Sequence, residues 1–81
     1  MGNIQMKELI KTIVQPLVDH PEEVNVTEDS DDRNVTYLLS VNKEDMGKVI
    51  GKQGRVIKAI RTVVYAAGTG HNKRIHLEIN E

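Results

Sequence analysis

The tetrapeptide Gly51–Gly54, Gly-Lys-Gln-Gly, is the part of the chain whose residue types and spacing fit a chemical task. Glycine lacks a Cβ, so it allows backbone conformations that other residues resist and lets a ligand approach the main chain closely. A helix is predicted to begin directly after the second glycine, which would direct its free N–H groups and its dipole towards the same place. Lys52 and Arg55 add positive charge. The segment therefore predicts a loop that holds phosphate groups without side-chain catalysis.

A nucleotide-hydrolysing phosphate loop is the competing interpretation of this segment. The Walker pattern needs a glycine, four residues, and then Gly-Lys followed by Ser or Thr. Three residues separate Gly47 from Gly51, and Gln53 follows Lys52 where a metal-binding hydroxyl would be required. The preceding segment is also predicted to be a helix rather than a strand. The sequence therefore argues against nucleotide hydrolysis.

The formal net charge of −1 conceals a strong asymmetry along the chain. Residues 1–47 carry four basic and ten acidic side chains, whereas residues 48–81 carry seven basic and two acidic ones. No acidic residue occurs between Lys48 and Leu77. A basic segment in a near-neutral protein is a typical footprint of an anion-binding site, although a solvated helix face would give the same run of charges.

The composition excludes several classes of protein. A chain of 81 residues forms one small domain, which seldom holds a deep enzyme pocket, and it offers no nucleophile–base pair. There is no cysteine, and no carboxylate cluster accompanies the three histidines in the sequence, so we expect neither a metal nor a cofactor. Two tyrosines without Phe or Trp disfavour recognition by stacked aromatic rings. We expect a cytoplasmic protein, since neither a signal peptide nor a membrane span is evident.

The hydrophobic periodicity predicts an α+β fold. The predicted helices span 4–18, 43–50 and 55–67, and the predicted strands span 23–28, 35–41 and 74–80. This α-β-β-α-α-β order predicts a three-stranded mixed sheet covered on one face by three helices. The last strand is expected to lie parallel to a partner, because a helical crossover precedes it.

Several residues are predicted to mark the ends of these elements. Pro16 predicts a kink or a tight last turn in the first helix. Asn42 is predicted to cap the second helix, with Asp45 completing a capping box. Gly68 is predicted to be the glycine that follows the third helix, before a loop over 69–72.

The third predicted helix is apolar over about half of its circumference, more than packing on a sheet requires. Ala59, Val63 and Ala66 form the additional edge. Small and branched apolar residues of this kind suit packing against another protein. The first helix could instead cover them, and the sequence leaves both interpretations open.

The segment Val49–Arg55, Val-Ile-Gly-Lys-Gln-Gly-Arg between two predicted helices, resembles the Gly-x-x-Gly loop of KH domains. The order of elements is that of the type II KH fold. The patterns over Leu17–Pro21 and Gly47–Arg61 are similar to those of the small bacterial type II KH family. The resemblance covers essentially residues 4–80, so a single KH domain is expected over 1–81. It implies binding of single-stranded RNA, with about four nucleotides clamped along the loop.

The resemblance also implies which residues contact RNA. The sugar-phosphate backbone would be held by Gly51, Lys52, Gln53 and Gly54, bases would lie on Val49, Ile50 and Ile57, and longer-range attraction would come from Lys48, Arg55 and Lys58. Val49, Ile57 and Ile60 could instead be core residues, and this alternative is favoured for the two isoleucines. Lys58 could equally be a solvated helix residue.

Partners and a cellular role are implied by the same resemblance. A homodimer and a heteromer with a larger KH-containing protein are expected, because the family associates in both ways. The implied function is that of an RNA chaperone or post-transcriptional regulator acting in cell shape and envelope growth. The alternative is a protein-interaction adaptor whose loop is not an RNA site. The basic segment between Lys48 and Leu77 favours RNA binding, since an adaptor does not need it.

Overall fold

The helices and strands follow one another in the order predicted from the sequence. The computed structural model describes residues 6–68 and 73–80. Its helices are α1 (Met6–Val14), α2 (Met46–Ile50) and α3 (Arg55–Ala67), and its strands are β1 (Asn25–Ser30), β2 (Asn34–Ser40) and β3 (Arg74–Ile79). The loop predicted over 69–72 and the first two residues of the helix predicted from residue 4 lie outside the described residues. Within the described part, no helix has the length and apolar character needed to cross a membrane.

The three strands form one mixed sheet in the order β1-β2-β3. β1 and β2 are antiparallel neighbours, whereas β3 lies parallel to β2. The parallel register places Val35 beside Ile75 and Leu39 beside Ile79. The predicted mixed sheet is confirmed, and α2 and α3 provide the crossover that parallel pairing requires.

The core lies between one face of the sheet and the three helices. Alternation along β2 buries Val35, Tyr37 and Leu39, as the sequence predicted. Fully buried side chains from all three helices meet this face, namely Ile10, Val14, Val49 and Val64. The apolar stripes of the helices and the apolar face of the sheet therefore close on one another.

β1 begins two residues later than the strand predicted from residue 23. Pro21–Glu23 form a short 3-10 turn, in which the N–H of Val24 donates to the carbonyl of Pro21 at 3.2 Å. A proline at the first position of a helical turn suits its fixed φ angle and its missing N–H. This turn takes up residues that alternation alone had placed in the strand.

β1 also extends two residues further than predicted, because Asp31 closes the hairpin within a shorter turn. One carboxylate oxygen of Asp31 accepts from the N–H groups of Arg33 at 2.8 Å and Asn34 at 2.7 Å. These two hydrogen bonds lower the pKa of Asp31. The side chain replaces backbone bonds in the turn, so the strand continues to Ser30.

Two helix ends bear out their predictions to different degrees. The regular part of α1 ends at Val14 and is followed by the 3-10 turn Gln15–Leu17, so the predicted tight last turn at Pro16 is confirmed. Gly68 does follow α3, but its φ of −86° is not the left-handed conformation of a helix-ending glycine. A Cβ at Gly68 would overlap the side chain of Ile75. The close approach of β3, rather than a positive φ, therefore requires glycine.

Asp45 is buried in the described structure, with 1% of its surface exposed. Asn42 caps the following turn as predicted, since its Oδ1 accepts from the N–H of Glu44 at 2.7 Å. The capping-box prediction for Asp45 is wrong. Its carboxylate accepts instead from the N–H groups of Asp19 at 3.1 Å and His20 at 3.0 Å, which follow α1 in the chain. Asp45 therefore ties the segment after α1 to the start of α2.

We expect Asp45→Asn to lower the free energy of unfolding by about 1–3 kcal/mol. An asparagine keeps one acceptor oxygen, but its NH₂ group would face the second backbone donor and leave it without a partner. Urea unfolding measures the change. Asp32→Asn, on the exposed hairpin turn, is the matched control and should change stability by less than about 0.5 kcal/mol. Equal losses for the two variants would contradict this role for Asp45.

Candidate nucleic-acid interface

The loop between α2 and α3 reverses the chain within four residues. Gly51 has φ 73° and ψ 178°, Gln53 has φ 56° and ψ 27°, and Gly54 has φ 74° and ψ 18°. The N–H of Gly51 donates to the carbonyl of Gly47 at 2.8 Å, which closes α2. Three positive φ angles within four residues carry the chain directly from one helix into the next. Gln53 adopts a conformation uncommon for a residue with a side chain, and backbone strain of this kind is concentrated at functional sites.

The two loop glycines are required for different reasons. A Cβ at Gly51 would overlap the Cγ2 atom of Val56 and would lie 2.8 Å from its Cβ and 3.0 Å from its backbone nitrogen. A Cβ at Gly54 would meet only the Cγ2 atom of Ile57, at 3.9 Å. Gly51 is therefore needed for the packing of the loop onto α3, and Gly54 for its left-handed backbone.

The ten residues predicted to contact RNA fall into three groups by burial. The exposed ones are Lys48, Lys52, Gln53, Arg55 and Lys58; the half-buried ones are Ile50, Gly51 and Gly54; and the buried ones are Val49 and Ile57. Lys52 and Gln53 project at the tip of the loop, immediately before α3. The loop thus presents a cation, an amide and the first N–H groups of a 13-residue helix at one place.

Val49 and Ile57, which were expected to contact bases, are buried. Val49 has no exposed surface, and Ile57 and Ile60 retain 6% and 3%. All three belong to the apolar core under the sheet. Burial supports the core interpretation for all three, and contact of Val49 and Ile57 with bases stays a prediction. Ile50 is the apolar residue of the predicted set that keeps accessible surface beside the loop.

Lys48 is paired with carboxylates from the acidic half of the chain. Its ammonium group bonds to Oδ2 of Asp19 and lies 3.9 Å from Oδ1 of Asp45. The hydrogen bond and the charge of Lys48 lower the pKa of Asp19, and the hydrogen bond to Asp19 raises the pKa of Lys48. The basic segment of the sequence is therefore not free of acidic neighbours once the chain folds.

His20 also lies among carboxylates, which the sequence analysis did not expect. Its Nε2 is 3.3 Å from Oε1 of Glu44, and its Nδ1 is 3.8 Å from Oε2 of Glu23 and 3.9 Å from Oε2 of Glu22. Desolvation lowers the pKa of His20, but the hydrogen bond to Glu44 and the neighbouring carboxylates outweigh it and raise the pKa. The expectation that no carboxylate cluster accompanies the histidines is wrong at this position.

A polar groove lies between α3 and the outer edge of β3. It has a volume of about 390 Å³ and is lined by Arg61, Tyr65, His76, Leu77, Glu78 and Ile79. Arg61 is held in place because its Nε donates to the carbonyl of Leu77 at 3.0 Å. This groove could not be predicted from the sequence, since it combines two elements that are far apart in the chain. The one sequence signal is the helical spacing of Lys58, Arg61 and Tyr65, which places them on one face of α3.

An apolar groove lies on the other side of α3, towards α1. It has a volume of about 370 Å³ and is lined by Ile13, Leu17, Arg55, Val56, Ala59, Ile60 and Val63. Val63 is 47% exposed and Leu17 is 42% exposed. Ala59 and Ala66 are exposed as well. In the single chain, α1 therefore does not cover the edge formed by Ala59, Val63 and Ala66.

Among the described residues, the imidazole of His76 is the one ring on the open face of the sheet. Tyr37 points into the core with 8% of its surface exposed, and burial raises its pKa. Thr36, Leu38 and His76 lie on the opposite, open face. A single imidazole is a small stacking surface for bases, so the loop with its flanking helices is the better nucleic-acid surface.

A Gly-x-x-Gly loop between two helices, followed by a strand parallel to its neighbour in a mixed sheet, defines a KH-type domain. Residues 7–79 match the family model described as KhpA/KhpB, KH domain. The chain is 63% identical over 76 residues to the RNA-binding protein KhpA of Listeria monocytogenes, covering 94% of this chain and 100% of that protein. It is 49% identical over 79 residues to the RNA-binding protein KhpA of Bacillus subtilis, covering 98% of each.

A third relative, the RNA-binding protein KhpA of Clostridium acetobutylicum, is 54% identical over 74 residues, which are 91% of this chain and 99% of that protein. No solved structure matches the chain significantly. The chain belongs to the KhpA/KhpB family of KH-domain proteins, whose relatives named above are RNA-binding proteins. The type II order of elements and the family resemblance inferred from the sequence are therefore confirmed.

The two loop glycines should respond differently to alanine. Gly54→Ala should cost about 1–2 kcal/mol of stability, because alanine is disfavoured in a left-handed conformation. Gly51→Ala should cost about 3 kcal/mol or more, because its backbone conformation is essentially restricted to glycine and the new methyl group would overlap Val56. Urea unfolding compares the two variants. Equal losses would show that the contact between Gly51 and Val56 does not form in solution.

Proposed function

We propose that the chain binds single-stranded RNA through the Gly51–Gly54 loop, which grips the sugar-phosphate backbone. The observation that carries this proposal is the loop geometry, with three positive φ angles and the exposed side chains of Lys52 and Gln53 directly before α3. Backbone N–H groups at the start of a helix favour an anion. The names of the relatives, all RNA-binding proteins, support RNA as the source of the phosphates.

The bound RNA strand is proposed to continue from the loop along one face of α3. Lys58, Arg61 and Tyr65 lie on this face, and the polar groove against β3 follows. Arg61 and Tyr65 offer a guanidinium plane and a ring, either of which can stack on an unpaired base. Ile50, half-buried beside the loop, offers an apolar contact at its other end. A path of this kind leaves base edges accessible and suits an unpaired strand better than a duplex.

We further propose that the protein acts as an RNA chaperone or post-transcriptional regulator, with a role in cell shape and envelope growth. This step is supported by the family resemblance rather than by any one residue. It is compatible with the site, because a loop that grips the backbone distinguishes single from paired strands more strongly than it distinguishes sequences.

The apolar edge supports a second element of the proposal, self-association. Ala59, Val63 and Ala66 lie on the exposed side of α3, beside an apolar groove that α1 leaves open. Contiguous exposed apolar surface is a common mark of an interface. We propose that a second copy of this chain covers it. A larger KhpB-like KH protein is the alternative occupant, and a protein-interaction adaptor is the function that would remain if RNA binding failed.

Lys52→Asp/Gln53→Asp should weaken binding of an unstructured single-stranded RNA about ten-fold or more. The change removes one positive charge and places two negative charges against phosphates at close range. Both side chains are exposed and both glycines are kept, so thermal stability should stay near that of the wild type. Fluorescence anisotropy and thermal unfolding measure the two effects.

Lys7→Asp/Gln15→Asp is the matched control, since it makes the identical chemical change at two exposed positions of the α1 segment. It should weaken RNA binding far less. A duplex of the same sequence, titrated at the same salt concentration, should bind the wild type more weakly than the single strand does. Unchanged RNA affinity in the loop variant would remove the loop as the site and leave the adaptor as the better interpretation.

Val63→Glu should convert the proposed dimer into a folded monomer. The position is 47% exposed in the single chain, so the fold tolerates glutamate, whereas an interface would bury an unpaired charge. Sedimentation velocity across a concentration series should show a dimer dissociation constant at least ten-fold higher than that of the wild type. Thr62→Glu, at the adjacent exposed position, is the control and should dimerise like the wild type. A wild type that stays monomeric at high concentration would contradict the proposal.

A further inference from the structure

The ammonium group of Lys48 is paired with the carboxylate of Asp19. Lys48 lies in α2, one helical turn before the loop glycine Gly51. Its ammonium group bonds to Asp19, which belongs to the segment after α1. A lysine ammonium group can bond a phosphate oxygen as it bonds a carboxylate, but an ammonium group held at Asp19 does not reach a phosphate in the loop.

The side chain of Lys48 points towards the start of α2. Side chains on a helix tilt towards its N-terminus, and Lys48 lies 3.9 Å from Asp45, the residue just before α2. The pair with Asp19 therefore holds the ammonium group near the start of α2, whereas the loop lies at the end of α2. Lys48, the basic residue that most closely precedes Gly51 in the sequence, is therefore directed away from the loop.

The contact is exchangeable, and Asp19 can be changed without losing the fold. The side chains of Lys48 and Asp19 are 46% and 72% exposed, so water and a competing anion reach both. The structural contact of residue 19 is made by its backbone N–H, which donates to Asp45 at 3.1 Å. The carboxylate of Asp45 is committed to two backbone donors. Removing the Asp19 carboxylate therefore leaves the anchor intact and Lys48 without its direct partner.

We propose that Asp19 is an intramolecular competitor of RNA, which holds Lys48 away from the loop and thereby limits the affinity of the site for the phosphate backbone. The proposal rests on the proposed RNA function of the loop. When an RNA strand occupies the loop, Lys48 can contact a phosphate only if its pair with Asp19 breaks. The free energy gained from that phosphate contact is then reduced by the free energy needed to break the pair of Lys48 with Asp19.

The first experiment compares two variants that make the same charge change. Asp19→Asn should bind an unstructured single-stranded RNA about two- to five-fold more tightly than the wild type, the range in which an exposed ion pair alters an equilibrium constant. Asp32→Asn, on the distant hairpin turn, should gain clearly less. The slope of log affinity against log salt should steepen by about 0.7 in Asp19→Asn alone, which corresponds to one additional phosphate. Equal gains in the two variants would overturn the proposal.

The second experiment tests whether the gain passes through Lys48. Lys48→Gln should weaken RNA binding less in the wild type than in Asp19→Asn, because the ammonium group of the wild type is paired with Asp19. The same substitution in Asp19→Asn should remove most of the gained affinity. Additive effects of the two substitutions would overturn the proposal, because they would mean that Asp19 acts only through net charge.

A measurement without RNA separates this proposal from the function on which it rests. An NMR titration of the Asp19 carboxylate should show its pKa rise when Lys48 is replaced by glutamine, because Lys48 is what lowers it. An unchanged pKa would show that the pair does not form in solution and would overturn the proposal while leaving RNA binding intact. Failure of the proposed function is recognised separately, by unchanged RNA binding in Lys52→Asp/Gln53→Asp.

Discussion

Gly51 lies so close to Val56 that a Cβ at position 51 would occupy the space of the valine side chain. This contact brings the end of α2 against the first turn of α3 and so fixes the angle at which the two helices meet. Val49 on one helix and Ile57 on the other are thereby buried in the core. The residues between the glycines have no room inside and project into solvent. The packing constraint that stabilises the crossover is therefore the same one that exposes Lys52 and Gln53.

Folding rearranges the electrostatics that the linear sequence suggests. The acidic and basic halves of the chain are separate in sequence, but Asp45 joins the segment after α1 to α2 and brings Asp19 onto Lys48. His20 and its carboxylate partners lie on the same side. Lys52, Arg55, Lys58 and Arg61 lie outside this cluster, at the loop and along α3. The basic surface is narrower than a count of lysines and arginines indicates, and its position is correspondingly better defined.

The sequence predicted the elements well because their signals are local. Alternation in β2 and the glycine spacing of the loop each depend on residues within one short segment. The loop was predicted at its observed position, and β2 within one residue of its observed bounds. The bounds of β1 were wrong by two residues because the turns on either side, built by Pro21 and Asp31, override alternation. The partner of Lys48 lies 29 positions away and could not be inferred from spacing. The α3–β3 groove could not be predicted for the same reason, since Arg61 and Leu77 meet only in the folded chain.

The loop and the apolar edge are rigidly linked, because the loop leads directly into α3, which carries the edge. Val63 lies eight residues after Arg55, the first residue of the helix, which corresponds to about 12 Å along its axis. A second copy packed on this edge would hold its own loop at a fixed distance from the first. Two weak sites held in this way gain affinity through effective concentration only for strands long enough to reach both. Association through α3 would therefore select for length and lack of structure in the RNA, a preference that a single loop contacting about four nucleotides cannot express.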